Sequence, residues 1–243
     1  MPVLRTRDQG DSPVVSAYLP NPRPFGGHPT LLNGLTHYWR FDEVSAGAAP
    51  VSRLDSVGSI AWTDINTTAS AAGLFGNALD MVSADATSLQ QVVGPDLRIP
   101  AWTHSIWIYP TVTMQSRGVW AINHGGGDGA KVICTADAHP NTRVTHAYTN
   151  VIGSNATTAN FIVLNSWNLI LAWWDGTDNW VQLNNGVPVS STAFAQIDGV
   201  FGSASVGLVP LMDGQVDENG FWVRTLTAGE RSDLWNGGAG LRL

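Results

Sequence analysis

Three glutamates, Glu43, Glu218 and Glu230, occur in the 243 residues, and two of them sit beside an aspartate, as Asp42-Glu43 and Asp217-Glu218. Cleaving a glycosidic bond takes two carboxyl groups facing each other across a cleft, roughly 5 or 9 Å apart. Adjacent side chains on a strand leave on opposite faces, so neither pair is expected to form such a dyad. Glu230 is accounted for differently, because Thr227-Ala228-Gly229-Glu230 has the form of a capping box. Nucleophile and cofactor motifs are missing: there is no G-x-S-x-G elbow, P-loop, H-E-x-x-H or C-x-x-C. The lone Cys134 follows Val132 and Ile133 in a strand-like run, where packing outweighs reactivity. His124, His139 and His146 match no metal spacing, and ordinary polar or loop roles outweigh ligation. Enzymatic chemistry therefore ranks last, with a polysaccharide-degrading glycosidase as its least unfavourable form.

Sugar binding asks for other groups, namely aromatic faces that stack on rings and amides or carboxylates that meet hydroxyls. Trp180, Gln182 and Asn184 alternate onto one face of a strand, and Trp174, Asp175 and Asp178 lie at the turn before it. These residues, Trp174, Asp175, Trp180, Gln182 and Asn184, are the candidate ligand site. The competing reading, that the tryptophans only pack beneath loops or at a subunit contact, carries slightly more weight.

The elements that must hold them run from Ser166 to Val189. Trp167 to Trp174 is almost wholly apolar and reads as a strand buried on both faces, and Asp175-Gly176-Thr177-Asp178 supplies a turn. Trp180 to Asn184 alternates, with Val181 and Leu183 on the other face, and Asn185-Gly186 predicts a type I′ hairpin with positive φ at both residues. Similar short strands are expected over Thr36–Asp42, Thr103–Tyr109, Arg117–His124, Lys131–Thr135, Arg143–Tyr148, Asn160–Leu164, Ser205–Leu208 and Gly214–Val223. The one expected helix follows Thr227, turns Leu234 and Trp235 toward the body, and stops at Gly237-Gly238.

Composition fits this pattern. Eleven Trp, 26 Gly and a charged fraction of 13% suit an all-β chain with many turns. The net charge of −7 and a basic set of eleven Arg with the single Lys131 argue against nucleic acid. No run approaches the ~18 apolar residues of a membrane helix, and the first residues lack the apolar core of a secretory signal. Met1 to Asn33 shows no periodicity and contains six prolines, with Pro20, Pro22, Arg23, Pro24 and Phe25 as its densest stretch. It reads as a non-globular N-terminal docking arm over 1–33, and 34–243 as the globular domain.

Several segments together resemble the laminin G-like, concanavalin A-like jelly-roll family: GLTHYWRFDE at Gly34–Glu43, DSVG at Asp55–Gly58, GLFGNALD at Gly73–Asp80, HSIWIYP at His104–Pro110, Ser166–Gly186, and GQVDENGFWVRTLTAGERSDLWNGG at Gly214–Gly238. The resemblance implies a two-sheet antiparallel jelly-roll sandwich with first and last strands adjacent. It also implies one structural Ca²⁺, with Asp217 the first ligand candidate and Asp42 the second; pairing with Arg or turn capping is the heavier alternative. No other cofactor is expected. The fold hosts lectins, adhesion modules and glycosidases alike. A fold mostly used outside cells, no secretion signal and a proline-rich arm together point to a non-enzymatic protein of a virion surface. Its expected partners are other virion or assembly proteins, met through residues 1–33, and further copies of itself, with a glycan as ligand and without membrane or nucleic acid. A free or cell-surface lectin, exported by a route without a standard signal, is the alternative.

Overall fold

A computed structural model describes residues 28–43, 52–66, 69–91, 95–114, 118–124, 129–134, 142–149, 155–191, 201–206 and 212–243. In chain order the elements are α1 (Pro29–Leu32), β1 (Leu35–Trp39), β2 (Ser52–Arg53), β3 (Trp62–Ile65), β4 (Ala69–Ala72), β5 (Asn77–Met81), β6 (Ser88–Gln91), β7 (Trp102–Pro110) and β8 (Gly118–His124). They continue as β9 (Gly129–Cys134), β10 (Val144–Thr149), β11 (Ala156–Thr157), β12 (Asn168–Trp174), β13 (Asn179–Leu183), β14 (Val189–Ser191), β15 (Phe201–Val206), β16 (Gly214–Trp222) and α2 (Ala228–Trp235).

The strands form two antiparallel sheets, a jelly-roll sandwich. Sheet I runs β14-β13-β12-β7-β16-β5-β4, with β1 also paired to β16; sheet II runs β11-β10-β9-β8-β15-β6-β3-β2. The first and last strands are adjacent, as the resemblance implied. Alternation sets what each face of sheet I meets. Ile106 and Ile108 of β7, Ile170 and Ala172 of β12, Val181 and Leu183 of β13 and Val216 of β16 point toward sheet II and join Trp62, Leu89, Trp120 and Val144 in the inter-sheet core. Their neighbours Trp107, Leu169, Leu171, Trp173 and Trp222 point outward into a second cluster, closed by Leu31 of α1, Leu234 of α2 and Leu243. Sheet I is therefore buried on both faces over its central strands, which explains why β12 is buried throughout and reads as an unbroken apolar run.

α1 is absent from the sequence expectation and corrects the boundary drawn at residue 33. Leu31 is fully buried, its carbonyl accepts the Trp222 indole N–H at 2.7 Å, and Arg224 donates to the carbonyls of Asn33 at 2.6 Å and Thr30 at 2.7 Å. Residues 29–33 thus belong to the folded body. The arm residues Pro20, Pro22, Arg23, Pro24 and Phe25 lie outside the described residues. Asn160–Leu164, expected as a strand, is irregular: Ile162 N–H donates to Thr142, and Asn168 exchanges hydrogen bonds with Val163 in place of a ladder. The Asn185-Gly186 turn also differs from a type I′ hairpin. Positive φ falls on Asn184, at 55°, and β14 first pairs with β13 at Val189 opposite Val181, so the connection is longer than two residues. Gly186 is needed for close approach instead, since a Cβ there would lie 2.2 Å from Asn160 Nδ2.

Candidate functional site

The hairpin β12–β13 divides the predicted site residues between two faces. Trp174 joins the inter-sheet core and is 8% exposed, so it cannot share a surface with Trp180. Trp180 lies on the outer face, stacked on Trp173 with ring centroids 5.6 Å apart and planes 2° from parallel. Strand register makes the pair, because Trp173 and Trp180 are directly opposed. The Arg231 guanidinium of α2 lies 4.5 Å from the centre of the Trp173 ring. Arg231 also donates to Gln182 Oε1 at 2.9 Å and to the Leu226 carbonyl, so Gln182, 4% exposed, anchors the helix. Burial lowers the Arg231 pKa.

Asp175 organises the turn as its residue type predicts. Its Oδ1 accepts the N–H groups of Thr177 at 2.9 Å and Asp178 at 2.7 Å, Gly176 takes φ 98°, and Oδ2 accepts the Trp180 indole N–H at 2.7 Å. Burial would raise the Asp175 carboxyl, but these donors hold it below the usual carboxylate range. Asn184 ties the far end of the hairpin: its Oδ1 accepts Leu169 N–H at 2.8 Å, and it lines an open groove of about 740 Å³ with residues 159–164. Of the five candidates, Asp175 and Trp180 present surface together, while Trp174, Gln182 and Asn184 are engaged in the fold.

The acidic residues meet farther across the same outer face of sheet I, at β16. β16 carries a bulge, with Asp217 opposite Trp107 and Gly220 opposite Ser105, so two residues face one. Glu218 takes φ 46° there. The bulge interrupts the alternation, and Asp217 and Glu218 both turn outward, contrary to the expectation that adjacency separates them. Glu218 accepts the Tyr38 hydroxyl and lies 3.2 Å from Arg242 Nε, and Arg242 pairs with Asp42. Asp217 accepts the N–H groups of Leu74 at 2.9 Å, Phe75 at 3.2 Å and Glu218 at 2.9 Å. Burial, and for Asp217 also the charge of Glu218, raises both carboxyls above the ordinary range. The Ca²⁺ candidates Asp217 and Asp42 do come into one cluster, but what meets their oxygens is N–H groups and a guanidinium. Among the described residues no group of three or more His, Cys, Asp or Glu is placed to hold a metal ion.

Two further motifs find structural work. Asp55 of DSVG accepts from Tyr38 N–H at 2.9 Å, from Val57 and Gly58, and from His37 at 2.7 Å, tying the turn to β1. The capping box forms as expected between Thr227 and Glu230. Two bonds from Arg224, ahead of burial and the Thr227 bonds, help bring Glu230 down to about 2.

The fold and site define a two-sheet β-sandwich whose outer face combines stacked indoles with polar groups. Domain 4 of AbnA, an extracellular arabinanase of Geobacillus stearothermophilus solved with arabinotriose, is similar at TM-score 0.64 and 18% identity, over 82% of this chain and 97% of that one. A Trypanosoma rangeli sialidase is similar at TM-score 0.61 and 12% identity over 92% of this chain, which spans 36% of the sialidase. The binding domain of botulinum neurotoxin DC, solved with SialylT, is similar at TM-score 0.57 and 8% identity over 84% of this chain and 51% of that one. No protein-family model matches the sequence, and no curated protein matches it.

Proposed function

We propose that this chain is a non-enzymatic glycan-binding β-sandwich that presents the outer face of sheet I to its ligand. The observation that carries this reading is Trp180: it caps a two-indole stack, keeps part of its ring in solvent, and is fixed in orientation by Asp175. A rigid indole ring loses little conformational entropy when a sugar ring settles on it. The sugar complexes of similarly folded domains support the same reading. Burial supports the non-enzymatic part of this reading: Asp217 and Glu218 are 0% and 2% exposed and bonded to the fold. Attachment to a virion through the proline-rich segment ahead of Pro29 is the proposed setting, with a lectin free of any particle as the other.

The test is a glycan array probed with the intact chain, followed by Trp180→Ala. Binding to a defined oligosaccharide, weakened at least tenfold by the substitution in a chain that still folds cooperatively, is expected. Undiminished binding would remove Trp180 from the site.

A further inference from the structure

α2 covers only the middle of the outer face. Its Trp235 stacks on Trp107 at 5.5 Å and its Arg231 on Trp173, and six residues along β7 from Thr103, which pairs with Trp173, lies Tyr109. That separation is about 20 Å at ~3.4 Å per residue. There the register sets four side chains in a row across four strands or their ends. Asp80 of β5 opposes Gln215 of β16, Gln215 opposes Tyr109, and Tyr109 meets Trp167, just before β12, with ring centroids 5.5 Å apart at 60°. All four point outward, because Leu79, Val216 and Ile108 beside them lie in the inter-sheet core and Trp167 packs on the outer cluster.

The row differs from the Asp217–Glu218 cluster on the same face in what its polar groups do. Each of the four residues is half-buried, and among the described residues the Asp80 carboxyl, the Gln215 amide, the Tyr109 hydroxyl and the Trp167 indole N–H make no hydrogen bond. Their positions are nonetheless built. A Cβ at Gly214, which has φ 133°, would lie 2.1 Å from the Tyr109 carbonyl, so glycine lets β16 close on β7 beside Gln215. Asn168, fully buried, donates to the carbonyls of Val163 and Ser166 at 2.8 Å and so fixes the segment that delivers Trp167.

We infer that the Asp80–Gln215–Tyr109–Trp167 row is a second glycan subsite, selective for a neutral oligosaccharide. This rests on the glycan-binding reading above but not on Trp180. The two aromatic rings supply a stacking platform at one end, and the amide and carboxylate supply donors and acceptors for hydroxyls at the other. Three strand spacings of ~4.8 Å make the row about 14 Å long, enough for more than one sugar ring. The carboxylate at its end and the chain's net charge of −7 oppose an acidic sugar.

The probe is an array carrying neutral oligosaccharides, arabinotriose among them, beside sialylated ones, with Tyr109→Ala, Gln215→Ala and Trp180→Ala measured against the parent chain. Neutral glycans are expected to bind; Tyr109→Ala should weaken them about tenfold and Gln215→Ala several-fold, while binding to the row persists in Trp180→Ala. Gln215→Ala removes an uncommitted side chain and so tests the site without threatening the fold. Binding that Tyr109→Ala and Gln215→Ala leave intact and Trp180→Ala abolishes would overturn the row and spare the broader reading. Binding confined to sialylated probes would do the same. No binding by the parent chain to any glycan would overturn both.

Discussion

Asp217 and Asp80 are carboxylates on neighbouring strands of one sheet face, yet they do opposite things. Asp217 is fully buried and accepts three backbone N–H groups. Asp80 is half-buried, its carboxyl makes no hydrogen bond among the described residues, and burial raises that carboxyl. Around Asp217 the polar groups close on one another: Glu218 with Tyr38 and Arg242, and Arg242 with Asp42. Around Asp80 the amide, phenol and indole of the row stay open to solvent. Buried polar groups that find partners within the chain specify the fold, and half-exposed ones held without partners are where a ligand can supply the missing bonds.

Substitutions should separate the two regions. Asp217→Ala leaves one buried and two half-buried N–H groups without an acceptor and is expected to cost about 3 kcal/mol of unfolding free energy, read by chemical denaturation. A loss below about 1 kcal/mol would mean that the corner does not hold the bulge in place. Gln215→Ala, two residues away in β16, should stay within about 0.5 kcal/mol of the parent. A larger loss would show that Gln215 serves the fold and has no free amide to offer.

The pH dependence sharpens the contrast. The raised carboxyls keep protons in the folded chain that the unfolded chain has already released, so their contribution is complete below about 4. It is lost as pH rises through the folded values of about 7 for Glu218 and about 8 for Asp217. The buried imidazoles act with the opposite sign: burial lowers His104 and brings His146 down to about 4, so their contribution is present above ~6.5 and lost as pH falls. The opposing slopes offset between pH 4.5 and 6.5, and above 6.5 the acidic pair sets the slope among the described residues. Stability should decline from pH 6.5 to 8 by on the order of 1 kcal/mol, and Glu218→Gln should flatten that decline. Equal slopes in parent and variant would contradict the shared burial of the pair.

Much of the scaffold was legible because its signals are local. Trp167 to Trp174 showed a strand buried on both faces, Thr227 and Glu230 showed the helix start, and Asp175-Gly176 showed a turn. The bulge at Glu218 was not legible: a single residue with positive φ reverses which face an acid occupies, and no periodicity records it, although Asp217-Glu218-Asn219-Gly220 breaks the alternation between Val216 and Phe221. α1 was hidden because four residues carry too little pattern to compete with six prolines, and Trp222 and Arg224, some 190 residues later, are what hold it. The candidate site was half legible. Alternation placed Trp180 and Gln182 on one face correctly, but only the packing of α2 shows that Gln182 is taken by Arg231. The Asp80–Trp167 row brings together residues from four distant segments, which strand register alone discloses.

The most direct test of the account is to carry Trp180→Ala and Gln215→Ala in one chain and measure its oligosaccharide affinity and melting temperature beside the parent. Glycan affinity weakened at least tenfold in a chain that still folds cooperatively is the predicted result. Full binding by the doubly substituted chain, or a parent chain that binds no glycan, would contradict the outer face of sheet I as a glycan-binding surface.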